Sequence, residues 1–497
     1  MNNPEDQAAA PSALTMDPDT FRALGYQMVD ALANRLTTMR ERPVFTAMTD
    51  DARRALLESP MPAQPTPPEE VWRTMSEVLE AFPMLNGSPR FFGWVNSPPA
   101  PLAILAEMIA AGLNVSCAGG DHPGAYIEHR VVRRLMELVR FPVEGSMGLL
   151  VSGGSMASLT CLAAARHWAA ARAGWNVRAE GMQAGHAPLV MYASTEGHSC
   201  LQKAAEVLGL GSEYGFRRVP ADADLRMDTR ALRAMLAADR AAGRRPFCVA
   251  ASAGAVNTGA IDPLDDLADL CAEEDLWLHV DGAYGAMGVL DERIAARYSG
   301  MERVQSLALD PHKWFSVPVE CGCALVRDAR LLRDTFSLVP PYVRVEEGKG
   351  FGGLPWFSEY GMQQTRSFRA LKLWATLQQA GTSGLAALIS RHNDLARYLA
   401  TLIDEAPDFE RLAPVTLSVV CFRYIPAPCP DDAALNRLNK TLMEEIQRGG
   451  RAFLTSTDLG GRFALRACVL HYATNEQDLV ALADLVRAHG KASQAGT

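Results

Sequence analysis

Lysine is scarce in this chain of 497 residues, and one lysine stands where its amine could be reactive. In "LALDPHKWFSV", Lys313 follows an apolar run and precedes Trp314 and Phe315, so we expect it to end a buried strand behind two shielding rings. An apolar setting favours the neutral amine, which forms Schiff bases with carbonyl compounds as arginine cannot. Taken alone, Lys313 is better explained as a lysine at a strand end whose charged end reaches solvent. The remaining lysines lie in helical stretches, a glycine-rich loop or the tail: Lys203, Lys349, Lys372, Lys440 and Lys491.

A carboxylate follows a second apolar run. In "LWLHVDGAYGA", Asp281 comes at a strand end and is followed by the small residues Gly282 and Ala283. Such a carboxylate could keep a pyridine nitrogen protonated and so turn the ring into an electron sink. By itself, an aspartate at a strand end more often caps a turn. Together with Lys313, it favours cofactor chemistry.

Two further motifs offer groups for a phosphate and for a flat ring. "LLVSGGSMASLT" predicts a strand, a glycine turn and a helix start, where the N–H groups of Gly154 and Ser155 could bind phosphate. "STEGHSC" places His198 just past another strand, where its imidazole could stack on a planar cofactor ring.

A serine hydrolase is the alternative from another class of enzyme. The segment 153–157 is similar to a nucleophile elbow, with alanine in place of the last glycine. Ser155, Asp281 and His312 even occur in the chain order of α/β-hydrolases. Such an enzyme, however, would have no use for Lys313 beside the histidine and no role for His198.

Short apolar strands alternate with helices from about residue 145 onward. Continuous apolar strands, each followed by a helix, are typical of a mostly parallel sheet that is covered on both faces. Ligands of such sheets bind at the carboxyl ends of the strands, where most of the candidate residues fall. The sequence therefore predicts an α/β fold with the site at that edge.

The flanking segments differ from this central part. Asp17 and Pro18 read as the cap and first residue of an amphipathic helix, and a proline-rich connector, 58–70, should be extended. We predict three parts: an N-terminal helical arm over 1–90, a large cofactor-binding domain over 91–384 and a small α+β domain over 385–497.

The composition limits the kinds of partner that the protein is expected to bind. The chain has a net charge of -9 and no block of like charges, so its sequence indicates no basic patch that would bind nucleic acid or an anionic membrane. The polar, acidic N-terminus has no signal-peptide pattern and no apolar run is long enough to span a bilayer, so we expect a cytoplasmic protein. The ten cysteines lack metal-ligand spacing; we expect buried reduced thiols and no metal site.

These motifs resemble the group II decarboxylases that depend on pyridoxal phosphate (PLP), typified by aromatic-L-amino-acid decarboxylase. The resemblance runs from about Phe21 to Leu485, and "DPHKW" is its most specific motif. The 32 positions between Asp281 and Lys313 are also typical of the family. The resemblance implies the PLP-dependent transferase fold type I, similar to aspartate aminotransferase, and a homodimer with shared active sites.

The resemblance also implies roles for single residues. Lys313 would carry PLP as a Schiff base, Asp281 would pair with the pyridine nitrogen, and Ala283 and His198 would pack on the ring. The phosphate would be held by Gly154, Ser155 and His312, and Ser252 stands where relatives often have threonine. Asp310 stands where animal relatives usually carry asparagine.

The implied activity is decarboxylation of an L-amino acid, aromatic in preference to aliphatic, to an amine and CO2. Tyr342 would protonate the substrate carbon, since relatives with phenylalanine there are aldehyde synthases. A PLP-dependent aldehyde synthase that couples decarboxylation to oxidative deamination is an alternative, and a PLP-binding protein without catalysis is another. Ala473 stands where relatives often have arginine, a departure from the typical aromatic decarboxylase. The side-chain pocket would be lined by Trp94, Val95, Asn96 and Ser97.

Overall fold

A computed structural model describes residues 12–84, 86–183, 185–339 and 351–495. Proline, aspartate or asparagine residues begin many of its helices, as helix-capping preferences predict. The helices are α1 (Pro18–Thr38), α2 (Asp50–Glu58), α3 (Pro68–Ala81), α4 (Pro101–Leu113), α5 (Pro123–Leu138), α6 (Gly154–Arg172), α7 (Val177–Glu180), α8 (Ser199–Val207), α9 (Thr229–Ala241), α10 (Leu264–Glu273), α11 (Pro311–Trp314), α12 (Ala329–Phe336), α13 (Arg369–Asp404), α14 (Asp432–Arg448) and α15 (Glu476–Ala495).

Two sheets account for the strands of the described residues. They are built from β1 (Phe91–Phe92), β2 (Met147–Val151), β3 (Leu189–Ser194), β4 (Phe216–Val219), β5 (Arg245–Ser252), β6 (Trp277–Asp281), β7 (Ser306–Leu309), β8 (Gly322–Val326), β9 (Phe409–Arg411), β10 (Val419–Tyr424), β11 (Phe453–Leu459) and β12 (Arg462–Cys468). The larger sheet has the order β2-β8-β7-β6-β5-β3-β4, and the smaller has the order β1-β11-β12-β10-β9.

The larger sheet is mostly parallel, which confirms the predicted α/β fold. Only β8 runs against its neighbours, β2 and β7, while β7, β6, β5, β3 and β4 pair in parallel. Its central strands are buried from end to end because helices cover both faces, so their sequences are continuous apolar runs. One apolar core lies on each face.

Helix α6 packs closely on the sheet because its buried face consists largely of alanine. Small side chains let the helix axis approach the strands. Its buried alanines are Ala157, Ala163, Ala164, Ala165, Ala169 and Ala170.

The N-terminal helix begins where the sequence predicts. Asp17 caps α1 by accepting hydrogen bonds from the N–H groups of Asp19 and Thr20, and Pro18 is its first residue. Residues 59–67 of the connector form neither helix nor strand, but Pro68 already begins α3. Leu24 alone is buried on α1, so most of its apolar positions remain exposed, Phe21 by 70%.

The C-terminal part has its own core and its own antiparallel sheet. β10, β11 and β12 pack against α14 and α15 around a third apolar cluster. β1 joins this sheet by pairing Phe91 with Phe453. The division at 384/385 falls inside α13, just after the backbone departs from helical geometry at Gly381, and the three-part division stays a prediction.

The cysteines and the membrane prediction can be compared with the structure directly. Every cysteine is a free thiol and all except Cys429 are buried, as predicted. None of the helices in the described segments is long and apolar enough to cross a membrane.

Three histidines are buried so deeply that the folded protein resists their protonation. Burial lowers the pKa of His279 and His471 to about 4 and that of His392 to about 3. Histidines of an unfolded chain titrate near 6.5, so below that pH the unfolded state binds more protons than the folded state. The free energy of unfolding therefore decreases as the pH falls from about 6.5 towards the pKa values of these histidines in the folded protein.

We expect His392→Asn to weaken this pH dependence. The asparagine oxygen can still accept the hydrogen bond that Trp314 Nε1 donates to His392 Nδ1 at 3.0 Å, but asparagine does not titrate. Between pH 7.5 and 5.5, the free energy of unfolding in urea should fall by about 1.4 kcal/mol less in the variant than in the wild type. An equal fall in both proteins would contradict the assignment of a neutral His392.

Candidate active site

A cleft of about 300 Å³ lies at the carboxyl edge of the larger sheet. β5, β6 and β7 are in register there, with Ser252 opposite Asp281 and Asp281 opposite Ala308. The residues at the ends of these strands therefore converge on one place. The cleft is lined by Ser152, Gly153, Gly154, Ser155, Met156, His198, Cys200, Ser252, Gly254, Ala255, Val256, Asp281, Ala283, Tyr284, Asp310, His312 and Lys313.

The glycine turn between β2 and α6 can bind an anion. Gly153 precedes α6 without any side-chain cap, so the first N–H groups of this 19-residue helix have no partner within the helix. A Cβ atom at Gly154 would lie 2.8 Å from the Cβ of Ala283 and 2.9 Å from Asp310 Oδ2, so a side chain would not fit there. Ser155 follows and is exposed to the cleft.

Asp281 is buried, with 8% of its surface exposed, and is held from two sides. Its Oδ1 accepts a hydrogen bond from the N–H of Ala283 at 3.1 Å. The thiol of Cys200 lies 3.8 Å from Oδ2 and can donate to it. These contacts fix the orientation of the carboxylate at the end of β6.

His198 caps α8 beside this carboxylate. Its Nδ1 accepts the N–H of Cys200 at 3.1 Å, so a neutral ring carries its proton on Nε2. Burial lowers the pKa of His198, and the nearby Asp281 opposes this shift only in part. Ligand atoms of His198, Cys200 and Asp281 lie within 4.8 Å of one another, so the imidazole is next to the carboxylate.

Lys313 lies on α11, the single turn of helix that follows β7. Trp314 and Phe315 are fully buried, as their apolar setting predicts. The amine itself, however, is not in apolar surroundings, because its Nζ lies 3.1 Å from Asp310 Oδ2. Asp310 stands three residues before Lys313 in the sequence, but the sequence does not reveal that their side chains form an ion pair.

His312 also lies against the glycine turn, because a Cβ atom built on Gly153 would be 3.3 Å from its Cε1. Its Nδ1 lies 3.1 Å from the N–H of Cys321 and 2.9 Å from the Cys321 carbonyl oxygen. Burial lowers its pKa. A hydrolase triad would place this imidazole between Ser155 and Asp281, but Nδ1 is engaged by Cys321 and Asp281 is held by other groups. The geometry therefore does not fit the serine-hydrolase alternative.

The segment predicted to line the substrate pocket lies beside the cleft rather than on its wall. Trp94 is 46% exposed and packs against Phe453, Val95 belongs to the main core, and Asn96 is exposed. Ser97 donates a hydrogen bond from Oγ to the His312 carbonyl at 3.2 Å.

One buried arginine joins this segment to the cleft wall. Arg466 donates to the carbonyl oxygens of Trp94 at 2.8 Å and Asn257 at 3.0 Å, and also to that of Val256. Since Val256 lines the cleft, the segment is tied to the site through backbone groups. Tyr342, the remaining predicted site residue, lies outside the described residues.

Comparison with known families identifies the chemistry of this cleft. The family model of the pyridoxal-dependent decarboxylase conserved domain matches residues 51–425. The chain belongs to this family. The decarboxylase is 33% identical over 481 residues to an aromatic-L-amino-acid decarboxylase of Bacillus atrophaeus, with 96% of each chain covered. It is 28% identical over 503 residues to a phenylacetaldehyde synthase of a Rosa hybrid cultivar, with 98% of this chain and 97% of that one covered.

Solved structures agree with the fold. The decarboxylase superimposes on Catharanthus roseus tryptophan decarboxylase in complex with L-tryptophan with a TM-score of 0.84 at 25% identity, covering 96% of this chain and 99% of the other. For the Oryza sativa TDC structure with PLP and tryptamine, the TM-score is 0.88 at 25% identity, with 96% and 100% covered. The protein is therefore a PLP-dependent amino-acid decarboxylase of fold type I.

The residues of the cleft fit this cofactor. An aldehyde needs a primary amine, and Lys313 is the one lysine among the described residues that line the cleft. A phosphate needs free N–H groups, which the start of α6 offers beside a glycine that leaves room for it. A protonated ring nitrogen needs a buried carboxylate, and Asp281 is one.

Sequence reasoning missed some residues of the decarboxylase site. Cys200 lies two residues after His198, and Tyr284 directly follows Ala283; both line the cleft. The sequence signal that could have identified them is their position next to motif residues at strand ends. What they touch depends on the register of neighbouring strands, which local patterns do not contain.

Proposed function

We propose that this decarboxylase converts an aromatic L-amino acid into the corresponding amine and CO2, as a cytoplasmic homodimer. The observation that carries the choice of substrate is the 33% identity, over 96% of both chains, to the aromatic-L-amino-acid decarboxylase of Bacillus atrophaeus. The C. roseus relative in complex with L-tryptophan supports the same class. The exposed apolar positions of α1 support a second copy as the partner of the N-terminal arm.

When bound, PLP supplies an aldehyde that condenses with amines and a ring that accepts the electron pair of a breaking Cα bond. Lys313 would be the amine that holds it, and this amine would have to be uncharged to react. Asp281, whose carboxylate is oriented by Ala283 and Cys200, would keep a proton on the ring nitrogen through its negative charge.

Further residues hold and orient the groups in the cleft. His198 would stack over the ring, and the neutral state that burial favours would avoid repulsion with a protonated pyridine. Ala283, whose side chain lies against the glycine turn, would also pack on the ring. N–H groups, hydroxyls and one imidazole that line the cleft would hold the phosphate: Gly154, Ser155, Ser252 and His312.

The substrate side chain is proposed to lie near the segment 94–97. Two sets of hydrogen bonds support this placement. Ser97 donates a hydrogen bond to the carbonyl oxygen of His312, the residue next to Lys313. Arg466 connects the segment to the carbonyl oxygen of Val256 in the cleft wall. The exposed ring of Trp94 suits an aromatic side chain better than a charged one, whereas Val95 is packed in the core behind it.

A panel of amino acids tests the proposed substrate class. With the PLP-loaded enzyme, we expect the highest kcat/KM for L-tryptophan, L-tyrosine or L-phenylalanine, lower values for L-leucine and L-valine, and the lowest for L-glutamate. CO2 and amine should appear in equal amounts. A preference for glutamate or for an aliphatic amino acid would refute the aromatic assignment, and aldehyde in place of amine would indicate the synthase activity of the Rosa relative.

Tyr342→Phe tests the proposed proton donor. General acids contribute about 10²-fold or more, so amine formation should fall by at least that factor while aldehyde and ammonia rise. Amine, aldehyde, ammonia and oxygen consumption are measured together. Tyr214→Phe, at a tyrosine that is 70% exposed, serves as the matched control. An unchanged ratio of amine to aldehyde in Tyr342→Phe would remove Tyr342 from the mechanism.

A further inference from the structure

Asp310 is a buried carboxylate with one oxygen that lacks a partner. It is 4% exposed, and no hydrogen bond to its Oδ1 is found among the described residues. An unpaired carboxylate oxygen in such a place is costly, so it calls for a donor that reaches the cleft. Oδ2, by contrast, is paired with Lys313 Nζ at 3.1 Å.

The unpaired oxygen points at the anion-binding turn. A Cβ atom built on Gly153 would lie 3.7 Å from Oδ1, and one on Gly154 would lie 2.9 Å from Oδ2. The carboxyl group therefore lies against the N-terminus of α6, within the space where the proposed function puts the cofactor phosphate. A carboxylate and a phosphate at one helix N-terminus are two anions competing for the same donors.

The charges facing Asp310 come from three groups. Lys313 and His312 lower its pKa, Asp281 raises it, and burial, which is the largest influence, raises it above the ordinary value for aspartate. His312 Nε2 lies 3.8 Å from Oδ2, and burial lowers the pKa of His312 so that the ring tends to be neutral. Lys313 is thus the principal cation that keeps Asp310 ionised in the cofactor-free chain.

We propose that Asp310 is a proton-coupled positioning residue for the cofactor: ionised and paired with Lys313 when the cleft is empty, it takes up one proton from solvent as PLP binds and donates that proton in a hydrogen bond to the phosphate. This proposal rests on the proposed function. Binding draws the Lys313 nitrogen into bonding with the cofactor and adds phosphate charge beside the carboxyl group. Both changes favour the neutral acid, because like charges at a shared site raise the pKa of one of them.

Proton uptake on cofactor binding tests the proposal without measuring activity. PLP is titrated into cofactor-free enzyme by calorimetry at pH 7.5, in several buffers that contain neither phosphate nor a primary amine and that differ in ionisation enthalpy. We expect the wild type to take up about one proton more than Asp310→Asn, whose amide donates without titrating. Between pH 7.5 and 8.5, PLP affinity should fall tenfold more in the wild type than in the variant, since one linked proton changes affinity tenfold per pH unit.

The alternatives give different results. Equal proton uptake in the wild type and Asp310→Asn would overturn the proposal. A second contrary result would be that His312→Asn takes up one proton fewer than the wild type while Asp310→Asn does not, because the proton would then be on the imidazole. A wild-type protein that binds no PLP and gains no visible absorbance band would refute the proposed function, and the proposal with it.

If Asp310→Asn does not fold, infrared difference spectra of loaded minus cofactor-free wild type report the same proton. Absence of a protonated-carboxyl C=O band there would overturn the proposal.

Discussion

Replacing Lys313 with alanine is expected to lower kcat/KM for decarboxylation by at least about 10⁴-fold, equivalent to about 5.5 kcal/mol of transition-state stabilisation. Among the described residues that line the cleft, Lys313 is the one primary amine, so no other residue of this set can form a Schiff base with the cofactor. The visible absorbance band of the loaded enzyme should vanish together with the activity. Borohydride reduction followed by peptide mass spectrometry should label Lys313 in the wild type.

Two matched variants separate the amine from its charge. Lys313→Arg keeps a cation beside Asp310 but cannot form a Schiff base at neutral pH, so we expect it to be as inactive as Lys313→Ala. Lys203→Ala, at an exposed position on α8, should retain activity and the band. Activity of Lys313→Arg close to that of the wild type would show that the lysine acts only as a charge, and the assignment of its role would be wrong.

The second large effect is expected at the buried ion pair of Glu128 and Arg366, which are 0% and 1% exposed. Arg366 binds both carboxylate oxygens of Glu128 and donates to the carbonyl oxygens of Cys117 at 2.7 Å and Leu150 at 2.6 Å. Glu128 Oε1 also accepts the N–H of Leu150 at 2.9 Å. Glu128→Gln leaves a buried guanidinium without a counter-charge and should lower the free energy of unfolding by about 3–5 kcal/mol.

Urea unfolding of four proteins measures this effect: wild type, Glu128→Gln, Arg366→Met and the double variant. The double variant should lose less stability than the sum of the single losses, because it leaves no unpaired charge. Glu137→Gln, which breaks an exposed pair with Arg134 on the same helix, is the control and should cost at most about 1 kcal/mol. Additive losses would contradict a coupled ion pair.

This pair also connects stability to the site. Leu150 lies on β2, four residues before Gly154, so its backbone sets where the anion-binding turn begins. We therefore expect the variants that fold to bind PLP more weakly, although Glu128 is not among the described residues that line the cleft.

Local sequence patterns revealed the strands and the chemistry at their ends. A strand covered on both faces must be apolar throughout, so β2, β3, β5 and β6 are visible as short apolar runs, and the residues that follow them are candidates for the site. Lys313, Asp281, His198 and the glycine turn were found in this way, and they line one cleft.

Pairings between distant segments were not visible in the same way. β1 is only two residues long and joins the C-terminal sheet through Phe91 and Phe453, a pairing across most of the chain. Nothing in the apolar character of Phe91 and Phe92 specifies that partner. The tie from Trp94 to the cleft likewise depends on Arg466, from the opposite end of the sequence.

The sequence by itself determined the α/β fold, the carboxyl edge of the sheet as the site and the kind of chemistry, because hydrophobic periodicity and residue type are local properties of the chain. Tertiary structure alone decided the surroundings of each reactive group. The ion pair of Lys313 with Asp310, the contact of Cys200 with Asp281 and the unpaired Asp310 oxygen beside Gly153 all arise where separate strands and helices meet. The charge state of a buried group depends on such contacts, since burial and neighbouring charges, rather than residue type, set its pKa.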